Sequence, residues 1–308
     1  MRLYDKPIIQ LFSFIREFLI LLLVYFTHFA GEAQVGKLFT TDSEISSSLI
    51  NQIYQDNKGY LWIATEDGLN RYDGAKVTIY KQNERDSTSI LNNYVKSIFQ
   101  DKAGRLYFGF FNGLQYYDYA TEEFHYIPIY IGDHYLYRSH VTSFVQRQNG
   151  DILLTTSGQG ILKIEKDGEG LAAIQLPNLL PDQYFEKIFE DANGDLWVLN
   201  QSHGLYKINS NNQIKTYFKN GDLETSLSSI EEGENNDLYV GSLTQGLFKY
   251  NRKKDTFIQI GDSQKLPVKS LSVNAKAEVM VGTDGKGLWL YDPATNKIRE
   301  NDFSIANF

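Results

Sequence analysis

Two series of small turn residues recur along this chain at a nearly constant interval, and this repeat restricts the fold more than any other feature. The first series is a glycine followed by Leu or Ile, at Gly68, Gly113, Gly160, Gly204, Gly246 and Gly287. The second series lies upstream, at Gly59, Gly104, Gly150, Gly194, Asn236 and Ala277. Successive members are 41–47 residues apart, and the intervals of the two series change together along the chain. A repeat unit present in six copies accounts for both series.

Each copy has the same order of short apolar segments and turns. An alternating segment comes first, as in Ile50–Gln55, Val95–Gln100 and Val141–Gln146. After a polar turn, the second segments are Leu61–Thr65, Leu106–Phe110, Ile152–Thr156, Leu196–Asn200, Leu238–Ser242 and Val279–Thr283. A third segment starts at the Gly-Leu step. More polar fourth segments include Val77–Tyr80, Phe124–Ile129, Ile214–Phe218 and Phe257–Ile260.

Four strands per unit, repeated six times, predict an all-β fold: a β-propeller of four-stranded antiparallel blades. The tally of 21 Tyr and 19 Phe against 2 Met agrees, because aromatic residues favour strands. Large aromatic residues recur in the second strand, and we expect them to pack between blades. They are Trp62, Tyr107, Trp197 and Tyr239.

The N-terminus has the pattern of a signal peptide. Arg2, Lys6 and Arg16 precede the apolar run Phe18–Phe26, which is too short to span a bilayer. Small residues then suggest cleavage after Ala33. Residues 1–33 are therefore predicted to be a signal peptide, with an uncleaved anchor as the alternative. In either case the propeller, residues 34–308, lies outside the cytoplasm, and we expect it in the periplasm.

Charge and cysteine content exclude several classes of function. The formal net charge is −8, and no run of more than three Lys or Arg follows the N-terminal segment. Nucleic acid is therefore not an expected partner, since that affinity depends on neutralising phosphates. The absence of cysteine excludes disulfides, thiolate metal sites and a cysteine nucleophile.

Two segments resemble the two-component regulator propeller repeat. They are SSLINQIYQDNKGYLWIATEDGLNRYDG (Ser47–Gly74) and DSTSILNNYVKSIFQDKAGRLYFGFFNGLQYYD (Asp86–Asp118). The resemblance extends over residues 38–292 and is looser in copies three, five and six. Gly233, Asn236 and Ala277, in copies five and six, depart from the Asp and Gly of the turn. It implies the exported sensor region of a hybrid two-component system, typically two seven-bladed propellers before a β-sandwich, a membrane span and a histidine kinase.

The resemblance also bears on the number of blades. It implies that Leu38–Thr41 supplies the outer strand of the last blade, so that a seventh blade would begin near Asp302–Phe308. We therefore expect a propeller incomplete at its C-terminus, with a natural six-bladed ring as the alternative. An absent seventh blade would expose Trp62 on one side and Val279–Val281 with Trp289 on the other, and would promote self-association.

Catalytic motifs are sparse. The five histidines form no H-E-x-x-H or H-x-H pair, and the chain has no G-x-S-x-G or Walker motif, so no metal, cofactor or catalytic residue is expected. Asp191–Asp195 lacks the glycine of a calcium loop and is predicted to be a turn. Kinase elements are also missing. A polysaccharide-active propeller enzyme using two carboxylates stays an alternative, as does a protein-interaction scaffold.

Binding is the remaining function, and it is expected on the face where the loops between second and third strands gather. Aromatic, amide and charged side chains on these loops suit an oligosaccharide, which combines apolar ring faces with hydroxyl groups. The segment YLYRSH (residues 135–140) is favoured because it lies in an insertion. The other expected partner is the remainder of a sensor kinase, as a possible dimer, and the membrane is reached only through the N-terminal segment or a further C-terminal part. The candidate ligand-binding residues are Tyr94, Phe111, Asn112, Tyr135, Tyr137, Arg138, His140, Gln159, His203, Gln245 and Lys286.

Overall fold

Six β-sheets follow one another along the chain and form the blades of a β-propeller, as the repeat predicted. The computed structural model describes residues 39–41, 44–177, 179–200, 204–218 and 226–301. Within these ranges it contains 26 strands, two short 3-10 helices and no α-helix. The first strands of successive blades contact one another, which places them innermost.

The first three blades contain fourteen strands. Blade 1 consists of β1 (Ile50–Gln55), β2 (Leu61–Thr65), β3 (Gly68–Tyr72) and β4 (Val77–Tyr80). Blade 2 consists of β5 (Val95–Gln100), β6 (Leu106–Phe110), β7 (Gly113–Asp118) and β8 (Glu123–Tyr126). Blade 3 is a six-stranded sheet of β9 (Ile129–Ile131), β10 (His134–Leu136), β11 (Val141–Gln146), β12 (Ile152–Thr156), β13 (Ile161–Asp167) and β14 (Gly170–Gln175).

The last three blades contain four strands each. Blade 4 consists of β15 (Lys187–Glu190), β16 (Leu196–Asn200), β17 (Gly204–Ile208) and β18 (Ile214–Tyr217). Blade 5 consists of β19 (Leu227–Glu232), β20 (Leu238–Ser242), β21 (Gly246–Asn251) and β22 (Thr256–Gln259). Blade 6 consists of β23 (Val268–Val273), β24 (Val279–Thr283), β25 (Leu288–Asp292) and β26 (Lys297–Glu300). The 3-10 helices are Glu234–Asn236 and Gly261–Ser263.

One predicted strand is wrong. The segment Phe124–Ile129 is divided between β8 and β9, because Pro128 lacks an amide hydrogen and cannot continue a ladder. Strand β9 then pairs parallel to β14 and forms a hairpin with β10, which extends the edge of blade 3. This β9–β10 hairpin contains the start of the insertion noted in the sequence.

The turn aspartates connect each turn to the space between blades. The Oδ1 atom of Asp56 accepts bonds from the Lys58 and Tyr60 amides, each 2.9 Å long. Its Oδ2 atom accepts 2.7 Å and 2.6 Å bonds from Trp62 Nε1 and the Tyr119 hydroxyl of blade 2. Asp101 binds Tyr107 and Asp191 binds Trp197 in the same way, each at 3.0 Å. The four recurrent aromatic residues are all buried, confirming their predicted position between blades.

The irregular copies keep the turn geometry of the regular ones. Asn236 and Ala277 have φ angles of 60° and 64°, in the left-handed region that glycine occupies in the first four copies. At the Gly-Leu step of blade 4 the two backbones approach closely: a Cβ atom on Gly204 would overlap the Tyr217 carbonyl oxygen. Asp191–Asp195 is a turn, also as predicted.

The segment before blade 1 is not the strand that was predicted. Leu38 lies outside the described residues, and Phe39, Thr40 and Thr41 belong to no sheet. The Phe39 ring instead packs edge-on against Tyr72 of blade 1, with 5.0 Å between ring centroids.

Blade 1 has one face that no described blade covers. Strands of blade 6 make no extensive contact with those of blade 1 among the described residues. Ile53 on this face is 55% exposed, whereas Ile98, at the same register position of blade 2, is 3% exposed. The predicted exposure of Trp62, Val279 and Val281 is wrong, because these side chains point toward blades 2 and 5 and are fully buried.

Candidate functional site

An exposed aromatic ring stands on the loop face of blade 2. The two-residue loop Phe111–Asn112 connects β6 to β7, and the Phe111 amide donates a 3.2 Å bond to the Tyr94 carbonyl. This bond ties the loop to the residue before the innermost strand of the same blade. The Phe111 side chain is 58% exposed, although every residue of β6 is buried.

Three rings from two blades meet at this position. The Phe111 centroid lies 6.0 Å from that of Tyr94 and 5.1 Å from that of His140, which immediately precedes β11 of blade 3. Tyr94 and His140 are 6.0 Å apart and perpendicular. We call Tyr94, Phe111, Asn112 and His140 the Phe111 cluster. All four were predicted from the sequence as ligand-binding residues, and the structure brings them together.

Two polar atoms of the Phe111 cluster lack partners. Asn112 Oδ1 and His140 Nε2 are both buried and neither has a hydrogen-bond partner among the described residues. A buried polar atom left unpaired costs about 1–3 kcal/mol, so a ligand that pairs with it recovers that stabilisation. The cluster therefore offers a hydrogen-bonding edge beside an exposed apolar ring.

The imidazole of His140 is held in its neutral form. Burial, reinforced by the Lys96 ammonium, lowers the pKa of His140 below its ordinary value, while Glu186 acts in the opposite direction. Lys96 Nζ and Glu186 Oε2 form a half-buried ion pair at 3.3 Å. Sequence reasoning missed both residues. For Lys96 the available signal was its alternation with the core residues of β5, as in Val95-Lys96-Ser97.

Gln159 is held next to the Phe111 cluster by the chain segment that leads to it. Its Oε1 atom accepts a 2.8 Å bond from the hydroxyl of Ser139, the neighbour of His140. Its backbone amide is bound by Thr156 Oγ1 at 3.0 Å, and its carbonyl accepts a 2.8 Å bond from Gln175. These bonds fix the orientation of both the backbone and the side chain of Gln159 within its loop.

A second aromatic group lies on the β9–β10 hairpin. The rings of Tyr135 and Tyr137 are 4.8 Å apart and perpendicular, and Tyr130 lies 5.9 Å from Tyr135. The hydroxyls of Tyr135 and Tyr126 are 3.2 Å apart. Tyr137 is 82% exposed, and Arg138 beside it is also exposed. Sequence reasoning identified Tyr135, Tyr137 and Arg138 but missed the two tyrosines of the preceding strands.

The other predicted residues do not join these groups. Gln245 is fixed within its own loop, where its amide is bound by Ser242 Oγ at 3.1 Å. Lys286 is exposed on blade 6, and its ammonium donates a 2.6 Å bond to the Lys265 carbonyl. His203 lies outside the described residues.

The described residues contain neither a metal-binding group nor a membrane-spanning helix. No group of three or more His, Asp or Glu side chains there could hold a metal ion. No helix in the same ranges is long and apolar enough to cross a membrane.

Sequence comparison identifies the repeat. The family model of the two-component regulator propeller matches residues 44–67 and 89–112. Histidine kinase P4 of Formosa agariphila is 48% identical over 56 residues, which are 18% of this chain and 4% of that protein.

Structure comparison finds similar propellers in sensors and in an enzyme. The extracellular domain of the hybrid two-component system BT3049 of B. thetaiotaomicron superimposes with a TM-score of 0.73 at 22% identity, over 88% of this chain and 38% of that one. The domain of BT4673 from the same organism gives 0.70 at 22% identity, over 86% and 38%. Virginiamycin B lyase of Staphylococcus aureus gives 0.66 at 17% identity, over 87% and 88%.

The structural matches and the sequence matches support different conclusions. At such identities the structural matches show the fold alone, and the lyase match therefore assigns no activity. This chain spans less than two fifths of the matched sensor domains and a small part of the kinase. The matched segments fall in the first two blades, which contain the most regular copies of the repeat. Two copies of the repeat in this chain therefore match the two-component regulator propeller repeat.

Proposed function

We propose that this chain is the extracytoplasmic ligand-sensing propeller of a hybrid two-component system, and that it signals through a histidine kinase outside this chain. The family repeats and the similarity to extracellular domains of such systems support this proposal. In this proposal residues 1–33 direct export, and residues 34–308 form a periplasmic propeller. The kinase remainder is the protein partner, and a further blade covers the free face of blade 1.

The proposed ligand is an oligosaccharide bound at the Phe111 cluster. The observation that carries this proposal is the exposed Phe111 ring beside two unpaired buried atoms, Asn112 Oδ1 and His140 Nε2. A sugar ring has an apolar face that stacks on an aromatic side chain, and hydroxyls that both donate and accept hydrogen bonds. A hydroxyl donates to the Asn112 oxygen, and the neutral imidazole pairs with the next one.

The alternative functions predict different behaviour. A polysaccharide-active enzyme would turn over an oligosaccharide, and its activity would depend on one Asp or Glu. An interaction scaffold would bind a protein and no sugar. The unpaired atoms of the Phe111 cluster favour a small polar ligand over either alternative, because both atoms lie beneath the surface.

Isothermal calorimetry of the protein with a panel of plant and host oligosaccharides tests the proposal. We expect saturable binding without turnover. Phe111→Ala should weaken it by about threefold to tenfold, since an aromatic contact is worth about 0.5–1.5 kcal/mol. Asn112→Ala should weaken it as well. Ile214→Ala, at an exposed site on the outer strand of blade 4, is the matched control.

Two results would contradict the proposal. Binding that is equally strong in Phe111→Ala and in the wild type would remove the ligand from this site. Hydrolysis of an oligosaccharide, abolished by one carboxylate substitution, would make the enzyme the better interpretation.

A further inference from the structure

The boundary between blades 5 and 6 contains a cleft of about 470 Å³. This volume lies within the range of sites for small organic molecules. None of the residues predicted to bind ligand lines it. Its walls come from the outer strands and turns of the two blades, on the side opposite the loops that contain the Phe111 cluster.

The boundaries that follow the two blades with a second-strand tryptophan, blades 1 and 4, are filled by aromatic rings. Between blades 1 and 2, Tyr80 stacks on Trp62 at 5.8 Å and contacts Phe124 at 5.2 Å. Between blades 4 and 5, Tyr217 lies 5.6 Å from Trp197 and 5.3 Å from Phe257. Each boundary thus contains a Trp, a Tyr from the fourth strand, and a Phe from the next blade.

Between blades 5 and 6, smaller residues occupy the three positions that hold Trp, Tyr and Phe after blades 1 and 4. Tyr239 replaces Trp, and Ile298 replaces Phe at the register position opposite Tyr291. Ile260 replaces Tyr, and its amide bonds to the Leu247 carbonyl of the neighbouring strand. Tyr80 and Tyr217 stand opposite Leu69 and Leu205 in the same way. Of the three replacing residues, Ile260 lines the cleft, so the cleft lies next to the space that the fourth-strand Tyr fills in blades 1 and 4. It has the size and apolar wall to accept a ring from a ligand.

The charges around the cleft favour an anion. Its lining includes Lys249, Arg252 and Lys253 but only one acidic residue, Asp237. Lys249 pairs with Asp237 at 2.6 Å, and Arg252 pairs with Asp191 at 2.9 Å. Lys253 is exposed and has no ion-pair partner among the described residues. The apolar part of the lining comes from Ile258, Ile260 and Tyr291.

We propose that this cleft binds a small aromatic carboxylate. Its ring occupies the space left by the missing Tyr and Phe and packs against Ile258 and Ile260. Its carboxylate lies toward Lys253, with Lys249 nearby. Binding is favoured because the ring of the ligand is removed from water, and because its carboxylate pairs with the Lys253 ammonium, which no described carboxylate neutralises.

Phenylacetate and the neutral 2-phenylethanol are suitable probes, measured by saturation-transfer NMR and by titration with the whole protein. We expect both to bind, and phenylacetate to bind more tightly. Ile260→Tyr restores the ring found in blades 1 and 4 and should abolish binding of both. Lys253→Gln should weaken phenylacetate by about fivefold and leave 2-phenylethanol unchanged, as expected for one partly exposed charge pair. Lys102→Gln, at an exposed turn lysine of blade 2, is the control.

The results separate this site from the Phe111 cluster. Phe111→Ala should leave phenylacetate binding unchanged, so the two sites can fail independently. Undiminished binding to a folded Ile260→Tyr variant would overturn the location. Equal affinity of the wild type and Lys253→Gln for phenylacetate would overturn the assignment to a carboxylate, and this second test holds even where Ile260→Tyr does not fold.

Discussion

Two isoleucines at the same register position should differ sharply in their contribution to stability. Ile98 of β5 stands opposite Phe108, belongs to the core between blades 1 and 2, and is 3% exposed. Ile53 of β1 stands opposite Ile63 and is 55% exposed. The two side chains have the same chemistry and the same strand geometry. Their difference is the presence or absence of a covering blade.

The expected magnitudes follow from burial. Ile98→Ala removes a side chain from a closed core and leaves a cavity, so it should lower the free energy of unfolding by about 2–5 kcal/mol. Ile53→Ala removes less than half of that burial and leaves no enclosed cavity, so its cost should be about 1 kcal/mol or less. Ile230, at the same position in blade 5, is fully buried, and Ile230→Ala should behave like Ile98→Ala.

Urea unfolding followed by the strand signal in circular dichroism measures all three variants against the wild type. Equal m-values would show that the substitutions change stability rather than the extent of unfolding. A cost for Ile53→Ala as large as that for Ile98→Ala would refute the reasoning, because it would mean that the face of blade 1 is covered in solution. Sedimentation of the same samples would then tell whether a second copy covers it.

Three further predictions concern single positions. Ala277→Gly should stabilise the protein by about 1 kcal/mol in thermal or urea unfolding, because Ala277 has a φ of 64°; Ala103→Gly, in a turn position without positive φ, should not stabilise it. Asp56→Ala should cost about 2–3 kcal/mol in the same assay, since it leaves the buried Trp62 indole nitrogen unpaired, and a cost near zero would contradict the role given to this bond. Burial and Lys96 lower the pKa of folded His140, so the unfolded chain takes up its proton first as the pH falls below about 6.5. The wild type should therefore lose stability relative to His140→Gln as the pH decreases from about 7 to 5, and a stability difference independent of pH would contradict this.

The strands could be predicted because the repeat presents the same signal six times. All first and second strands that the sequence delimited, such as Leu61–Thr65 and Val95–Gln100, have the predicted bounds. The β9–β10 hairpin could not be predicted in this way. Its parallel pairing with β14 depends on contacts between residues more than forty positions apart, for which a single insertion gives no periodic signal.

The candidate site could be predicted only in part. Phe111 and Asn112 could be predicted because they lie in the loop between the second and third strands of their blade. His140 could be predicted because it lies in the insertion. The same reasoning also selected Gln245 and Lys286, because a repeat assigns equivalent positions to every blade regardless of the distance between blades. It missed Glu186, which pairs with Lys96. Lys96 belongs to blade 2 and Glu186 directly precedes the first strand of blade 4, and the repeat gives no sign that these two blades are in contact.

Both proposed sites lie at positions where the copies of the repeat differ from one another. At the loop position of Phe111 the described copies contain Glu66, Ser157, Leu243 and Asp284, so blade packing does not require an aromatic residue there. Between blades 5 and 6, by contrast, smaller residues stand where the boundaries after blades 1 and 4 have Trp, Tyr and Phe, and a cleft lies beside them. A loop position that makes no packing contact can acquire a side chain that binds a ligand. A position that is normally filled by a core side chain can bind a ligand only when a smaller residue replaces that side chain. The Phe111 cluster is an example of the first kind and the blade 5–6 cleft of the second, so Phe111→Ala should weaken binding at the first site with little loss of stability, whereas Ile260→Tyr should remove binding at the second.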